Sequence, residues 1–146
     1  MTARQHRIYF LLQVAAHRLR TDADNALIEA AGVTTAQAAV LSLVSGADTP
    51  TQRSIAAALG QNESAMTATV ARLQKAGLLK RTRSTRDRRA WVLALTAKGR
   101  RALDKATAPF ERINARLDDA IAEIGAGKLA DALQAIASPH EKDASV

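Results

Sequence analysis

Residues Thr51–Gly99 read TQRSIAAALGQNESAMTATVARLQKAGLLKRTRSTRDRRAWVLALTAKG. Two short helical patterns meet at Gly60, and two strand-like runs follow, with an arginine-rich loop between them. Thr51 has the side chain to cap the first helix by accepting a backbone N–H of its first turn. Ile55, Ala56 and Leu59 then form a narrow apolar stripe, and Gly60 suits the left-handed residue that closes a helix. The second helix starts within Gln61–Ser64. Met66, Val70 and Leu73 recur on its inner side, while Ser64, Ala65, Thr67, Ala68, Ala71 and Arg72 lie off that stripe. Ala56, Gly60 and Met66 let the two helices cross closely.

Leu78–Arg81 and Ala90–Leu95 are the strand-like runs, and Thr82–Arg89 between them is polar and basic. From Lys80 to Arg101 the chain carries Lys80, Arg81, Arg83, Arg86, Arg88, Arg89, Lys98, Arg100 and Arg101 against one acid, Asp87. A solvated face ordinarily mixes signs. A one-sign cluster on a short hairpin repels itself and makes sense opposite phosphate. The order helix, turn, helix, hairpin is that of a helix-turn-helix followed by a two-stranded β-wing, and it makes the second helix the candidate reader of the DNA major groove.

Several short motifs resemble the MarR family of bacterial transcriptional regulators. Val33-Thr34-Thr35-Ala36-Gln37 with Val40-Leu41 resembles the opening of the family's second helix. Ser64-Ala65-Met66-Thr67, Val70, Arg72-Leu73 and Lys75-Ala76-Gly77-Leu78 resemble its recognition helix and exit. Asp87-Arg88-Arg89 and Leu95-Thr96-Ala97-Lys98-Gly99 resemble its wing. The likeness runs through nearly the whole chain. It departs from the family at Ala68, where many members carry arginine, and at Ala71, where many carry an acid, so base reading by a long side chain at position 68 is absent.

The resemblance implies one mainly helical domain over residues 1–146, α+β by virtue of a small β-wing. Its winged-helix core spans about 34–99, and its dimerisation helices span about 6–30 and 97–137. It implies a homodimer that presents two recognition helices to successive major grooves and represses from a near-palindromic operator in double-stranded DNA. Asn62, Ser64, Thr67, Ala68 and Arg72 are the candidate contacts of the recognition helix. Arg86, Arg88 and Arg89 are those of the wing, directed to the minor groove or its flanking phosphates. Asp87 is expected to orient a neighbouring arginine, Arg89 first, through a charge-assisted hydrogen bond. Family members often release DNA when a small aromatic or lipophilic ligand binds between the dimer helices and the DNA-binding lobe. The corresponding wall residues are Tyr9, Gln13, His17, Val40, Leu43 and Phe110, with His17 able to pair with a carboxylate.

The rest of the chain fits this plan. Its 146 residues suffice for one domain with a core, and a net charge of +7 favours an anionic partner. Without cysteine it has neither disulfide nor thiol sensor, and with four aromatics its core must be aliphatic. Arg4 and Arg7 ahead of Ile8–Ala16 resemble a weak leader, but Gln13 interrupts the run and helical periodicity continues past it, so a cytoplasmic protein without a membrane partner is expected.

Helix one is expected over about His6–Ala30, with a stripe of Ile8, Leu12, Ala15 and Leu19. Helix two follows from a Thr34/Gln37 capping box and runs to about Ser45, before a loop at Gly46–Pro50. After the wing, Thr96 caps a helix whose apolar positions recur from Leu103 to Ile124, with a kink expected at Pro109. Gly125 and Gly127 end it, and a short helix, 128–137, precedes a polar tail from Ser138. The histidines His6, His17 and His140 are scattered, no nucleophile or phosphate-loop motif occurs, and no metal, cofactor or catalytic residue is expected. The rivals to a sequence-specific regulator are a sequence-tolerant nucleic-acid coat and a partner-controlled interaction module.

Overall fold

The computed structural model describes residues 3–138, with side chains from residue 7 onward. The tail expected beyond Ser138, with His140 and the His6 side chain, lies outside the described residues. The elements are α1 (Ala3–Ala31), α2 (Thr35–Gly46), α3 (Gln52–Ala58), α4 (Glu63–Lys75), β1 (Leu79–Arg83), β2 (Trp91–Leu95), α5 (Ala97–Ala120) and α6 (Ala126–Ala137). The chain forms two compact units, one through Pro109 and one from Phe110.

In the first unit α2, α3 and α4 each begin on a cap the sequence supplies. Thr34 and Gln37 close a reciprocal capping box at the head of α2, and Thr51 and Ser54 close another at α3. Asp24 on α1 reaches across to α2, where its Oδ1 accepts from both the N–H (2.7 Å) and the hydroxyl (2.6 Å) of Thr35. Helices α3 and α4 end alike. Gln61 N–H donates to Ala56 O and Leu78 N–H to Leu73 O, each at 2.9 Å, and the intervening Gly60 and Gly77 take φ of +60° and +73°. These are Schellman closures, and Leu78 and Leu73 are both buried, as the motif favours.

The inner stripes pack together: Ile55 and Ala56 of α3, Met66, Val70 and Leu73 of α4, Val40, Leu41 and Val44 of α2, and Leu93 of β2 are all buried. Burying large aliphatic side chains of this kind contributes about 1.5–3 kcal/mol each, before the entropy of ordering them.

β1 and β2 pair antiparallel, with Leu79 opposite Leu95 and Arg83 opposite Trp91. The first strand runs two residues further than its apolar run predicted, because Thr82 and Arg83 pair with Val92 and Trp91. On the other side of β2, Leu93 N–H donates to Pro50 O (2.8 Å), and Thr51 forms a bridge with Val92. The base of the wing is thereby tied to the residue that caps α3. Thr96 binds the wing to the next helix: its hydroxyl accepts from Gly99 N–H (3.0 Å) and donates to Gly77 O (2.6 Å).

In the second unit, α5 stops at Ala120 rather than running on to Ile124. Asp118 and Asp119 place negative charge at the helix C-terminus, where the dipole disfavours it. The chain turns through 121–124 to Gly125 at φ +85°. Gly127 does not end a helix but lies in the first turn of α6. Pro109 sits inside continuous α5, and the boundary between the two units falls there.

Candidate nucleic-acid interface

α4 presents an exposed face of short side chains. Ser64, Ala65, Thr67, Ala68 and Arg72 are exposed, opposite the buried Met66, Val70 and Leu73. Two of the residues expected to touch DNA are already engaged within the protein. Asn62 Oδ1 accepts from Ala65 N–H (2.8 Å), so its side chain caps α4. The Thr67 hydroxyl donates to Glu63 O (2.8 Å) and accepts from Gln52 Nε2 (2.7 Å). Thr67 therefore joins α4 to α3, whereas the Ser64 hydroxyl takes part in none of the hydrogen bonds among the described residues.

The wing tip is a built turn. Ser84 Oγ accepts from the N–H groups of Arg86 and Asp87, both at 3.2 Å, and Ala90 N–H donates to Asp87 O (2.9 Å). Asp87 Oδ1 accepts from the backbone N–H of Arg89 at 2.9 Å. Asp87 holds Arg89 through the main-chain N–H rather than the guanidinium, which shapes the turn. Arg86, Arg88 and Arg89 are all exposed.

Sequence reasoning passed over Trp91. The guanidinium carbons of Arg83 and Arg81 lie over its ring, 4.0 and 4.5 Å from the centroid. Arg83 Nη1 also donates to Arg88 O (2.9 Å). A chain of contacts thus runs from the indole through Arg83 to the backbone of the tip. The signal was in the strand periodicity, because residues 81 and 83 share a face, but only the register brings residue 91 opposite 83.

Between α4 and the wing lies a cleft of about 680 Å³, lined by Gln52, Arg53, Glu63, Asp87, Arg89 and Trp91, among others. Gln52 Oε1 is buried there without a hydrogen-bond partner. Arg53 and Arg89 are the cations that line it, and Glu63 and Asp87 the acids.

The residues expected to wall an effector site differ in exposure. Tyr9 is 67% exposed, and Gln13 and His17 are exposed beside it along α1. Val40 is fully buried in the core and meets no open space, Leu43 is half-buried, and Phe110 is a half-buried residue of the second unit. Among the described residues no group of three or more histidines and acids is placed to hold a metal ion. Nor, among them, is any single helix long and apolar enough to cross a membrane.

A model of the MarR family matches residues 31–90. No curated protein matches the chain. Among solved structures, the transcriptional repressor CouR bound to a 23-mer DNA duplex is 32% identical, with 88% of this chain and 91% of that one covered and a TM-score of 0.80. CouR from Rhodococcus jostii RHA1 bound to p-coumaroyl-CoA is 30% identical, covering 96% and 98%, with a TM-score of 0.79. A MarR-family regulator from Rhodococcus sp. RHA1 is 29% identical, covering 96% and 99%, with a TM-score of 0.78. Helix, turn, helix and basic wing stand here in the order and geometry of those proteins, and the chain belongs to the MarR family of DNA-binding transcriptional regulators.

Proposed function

We propose that the protein is a homodimeric repressor that occupies a near-palindromic operator. The observation that carries this reading is the juxtaposition of an exposed α4 face with a wing whose tip arginines are exposed and whose single acid accepts from the backbone. Ser64 and the N-terminal turn of α4 would face base edges in the major groove. Ala68 would allow close approach, Arg72 would meet phosphate, and Arg86, Arg88 and Arg89 would reach the minor groove and its phosphates.

Dimerisation is supported by α1. Ile8, Tyr9, Phe10 and Leu11, four consecutive residues, are each more than half exposed. Apolar surface of that extent marks an interface. The region 6–30 would serve with 97–137 as the dimerisation part of one functional domain. Two-fold symmetry would then place two copies of α4 about 34 Å apart along the duplex.

A small-molecule effector belongs to the same reading, because a relative of 30% identity binds an acyl-CoA thioester. The exposed Tyr9, Gln13 and His17 of α1 would contribute to its site at the subunit interface. Thermal-shift titration with aromatic acids and their CoA thioesters tests this part, and an unmoved melting temperature throughout would count against it.

Selection of random duplex DNA by the purified protein near physiological salt, together with its mass by light scattering, tests the whole. Enrichment of a near-palindrome by a dimer is the expected result. Binding without enrichment that vanishes as salt rises would identify a sequence-tolerant coat instead.

A further inference from the structure

If α4 reads DNA, the structure narrows which of its side chains does so. Asn62 is committed to the cap and Thr67 to Gln52 and the Glu63 carbonyl. Ala65 and Ala68 carry no polar atom, and Ser64 is short. Glu63 is different. It occupies the first turn of α4, is exposed, and lines the cleft between helix and wing. None of the hydrogen bonds among the described residues engages its carboxylate, whereas the nearby acid Asp87 accepts from Arg89 N–H.

An unengaged carboxylate facing a duplex is repelled by every phosphate around it. A bland role exists, since an acid at a helix N-terminus gains slightly from the dipole. That gain does not offset repulsion once DNA docks. Arg53 and Arg89 line the same cleft, but none of the hydrogen bonds among the described residues joins either to Glu63, and on the duplex a base that supplies a donor recovers the cost. In the major groove cytosine offers its N4 amino group, while guanine and thymine present acceptors, and adenine sets its N7 acceptor beside its amino group.

We infer that Glu63 is a specificity-determining residue whose carboxylate accepts from the amino group of a cytosine in each half-site and rejects the other three bases there. The inference rests on the sequence-specific reading above and deepens it.

The test runs the duplex selection in parallel on the wild type, Glu63→Gln and Glu63→Ala. The wild-type motif is expected to contain one cytosine per half-site that changes in the variants. Glu63→Gln should move the preference at that position from cytosine to adenine, because a carboxamide pairs bidentately with adenine N6 and N7. Glu63→Ala should lose the preference there, by roughly tenfold in discrimination, with the other positions unchanged. Both variants should bind random competitor duplex several-fold more tightly than the wild type. A wild-type motif retained unchanged by both variants overturns the inference and leaves the sequence-specific reading standing. A wild type that enriches no motif overturns both.

Discussion

A methyl group at position 99 would have no room. A Cβ built there collides with the Leu78 carbonyl oxygen and lies 2.9 Å from the carbonyl carbon, both rigid backbone atoms at the exit of α4. The same carbonyl accepts Thr96 N–H at 3.1 Å, so it cannot retreat without breaking the joint between wing and α5. Gly99→Ala should therefore cost about 1–3 kcal/mol or more, seen as a lowered melting temperature.

Asp24 offers a second residue-scale test. The Thr35 hydroxyl chiefly, then the Thr35 N–H and the charge of Arg20, hold its carboxyl below the ordinary value of 3.8, against an opposing contribution from burial. A carboxylate depressed on folding stabilises the fold fully above its unfolded value, and that contribution is lost as pH falls through the folded value. Asp24→Ala should lower stability at neutral pH by about 1–3 kcal/mol, the scale of hydrogen bonds to a charged group. The gap from wild type should narrow below pH 3.8 in acid-melting curves.

At the scale of the element, the wing separates charge from placement. Arg88→Ala with Arg89→Ala removes two cations that would neutralise phosphate. Affinity should drop for all duplexes, and the slope of log K against log salt should flatten by about 0.9 for each phosphate left without its arginine. Trp91→Leu removes no charge. It takes away the surface on which Arg81 and Arg83 stack, an interaction on the order of 0.5–1 kcal/mol per exposed pair, and with it the support for the Arg83 bond to the tip. Operator affinity should fall while the salt slope stays near wild type. A fluorescence-anisotropy salt titration distinguishes the two outcomes, and equal flattening in both variants would refute the bracing role of Trp91.

For the whole molecule, the question is what covers α1. Phe10 is 64% exposed and Tyr9 67% in the single chain. A Phe10→Glu substitution costs a folded monomer little at so exposed a site, whereas in a dimer seam it buries an unpaired charge. The variant should sediment as a monomer and lose operator affinity, since each half-site would then be bound alone. A wild-type chain that is monomeric at micromolar concentration would remove the basis of the dimer.

Where local chemistry specifies structure, the amino-acid order alone determined the outcome. Thr34, Thr51 and Thr96 carry hydroxyls that satisfy the first N–H groups of α2, α3 and α5 within three residues. The buried stripe of α4 follows from its helical period, and a one-sign hairpin announces a phosphate partner whatever its exact register. Tertiary structure alone decided the contacts between segments remote in sequence. Asp24 with Thr35, Gln52 with Thr67, Lys98 Nζ with Ala76 O and Trp91 with two arginines depend on crossing positions and strand register, which no local pattern encodes. Thus Asn62 and Thr67, legible as polar residues on α4, turn out to be spoken for within the fold, and the Glu63 carboxylate takes part in none of the hydrogen bonds among the described residues.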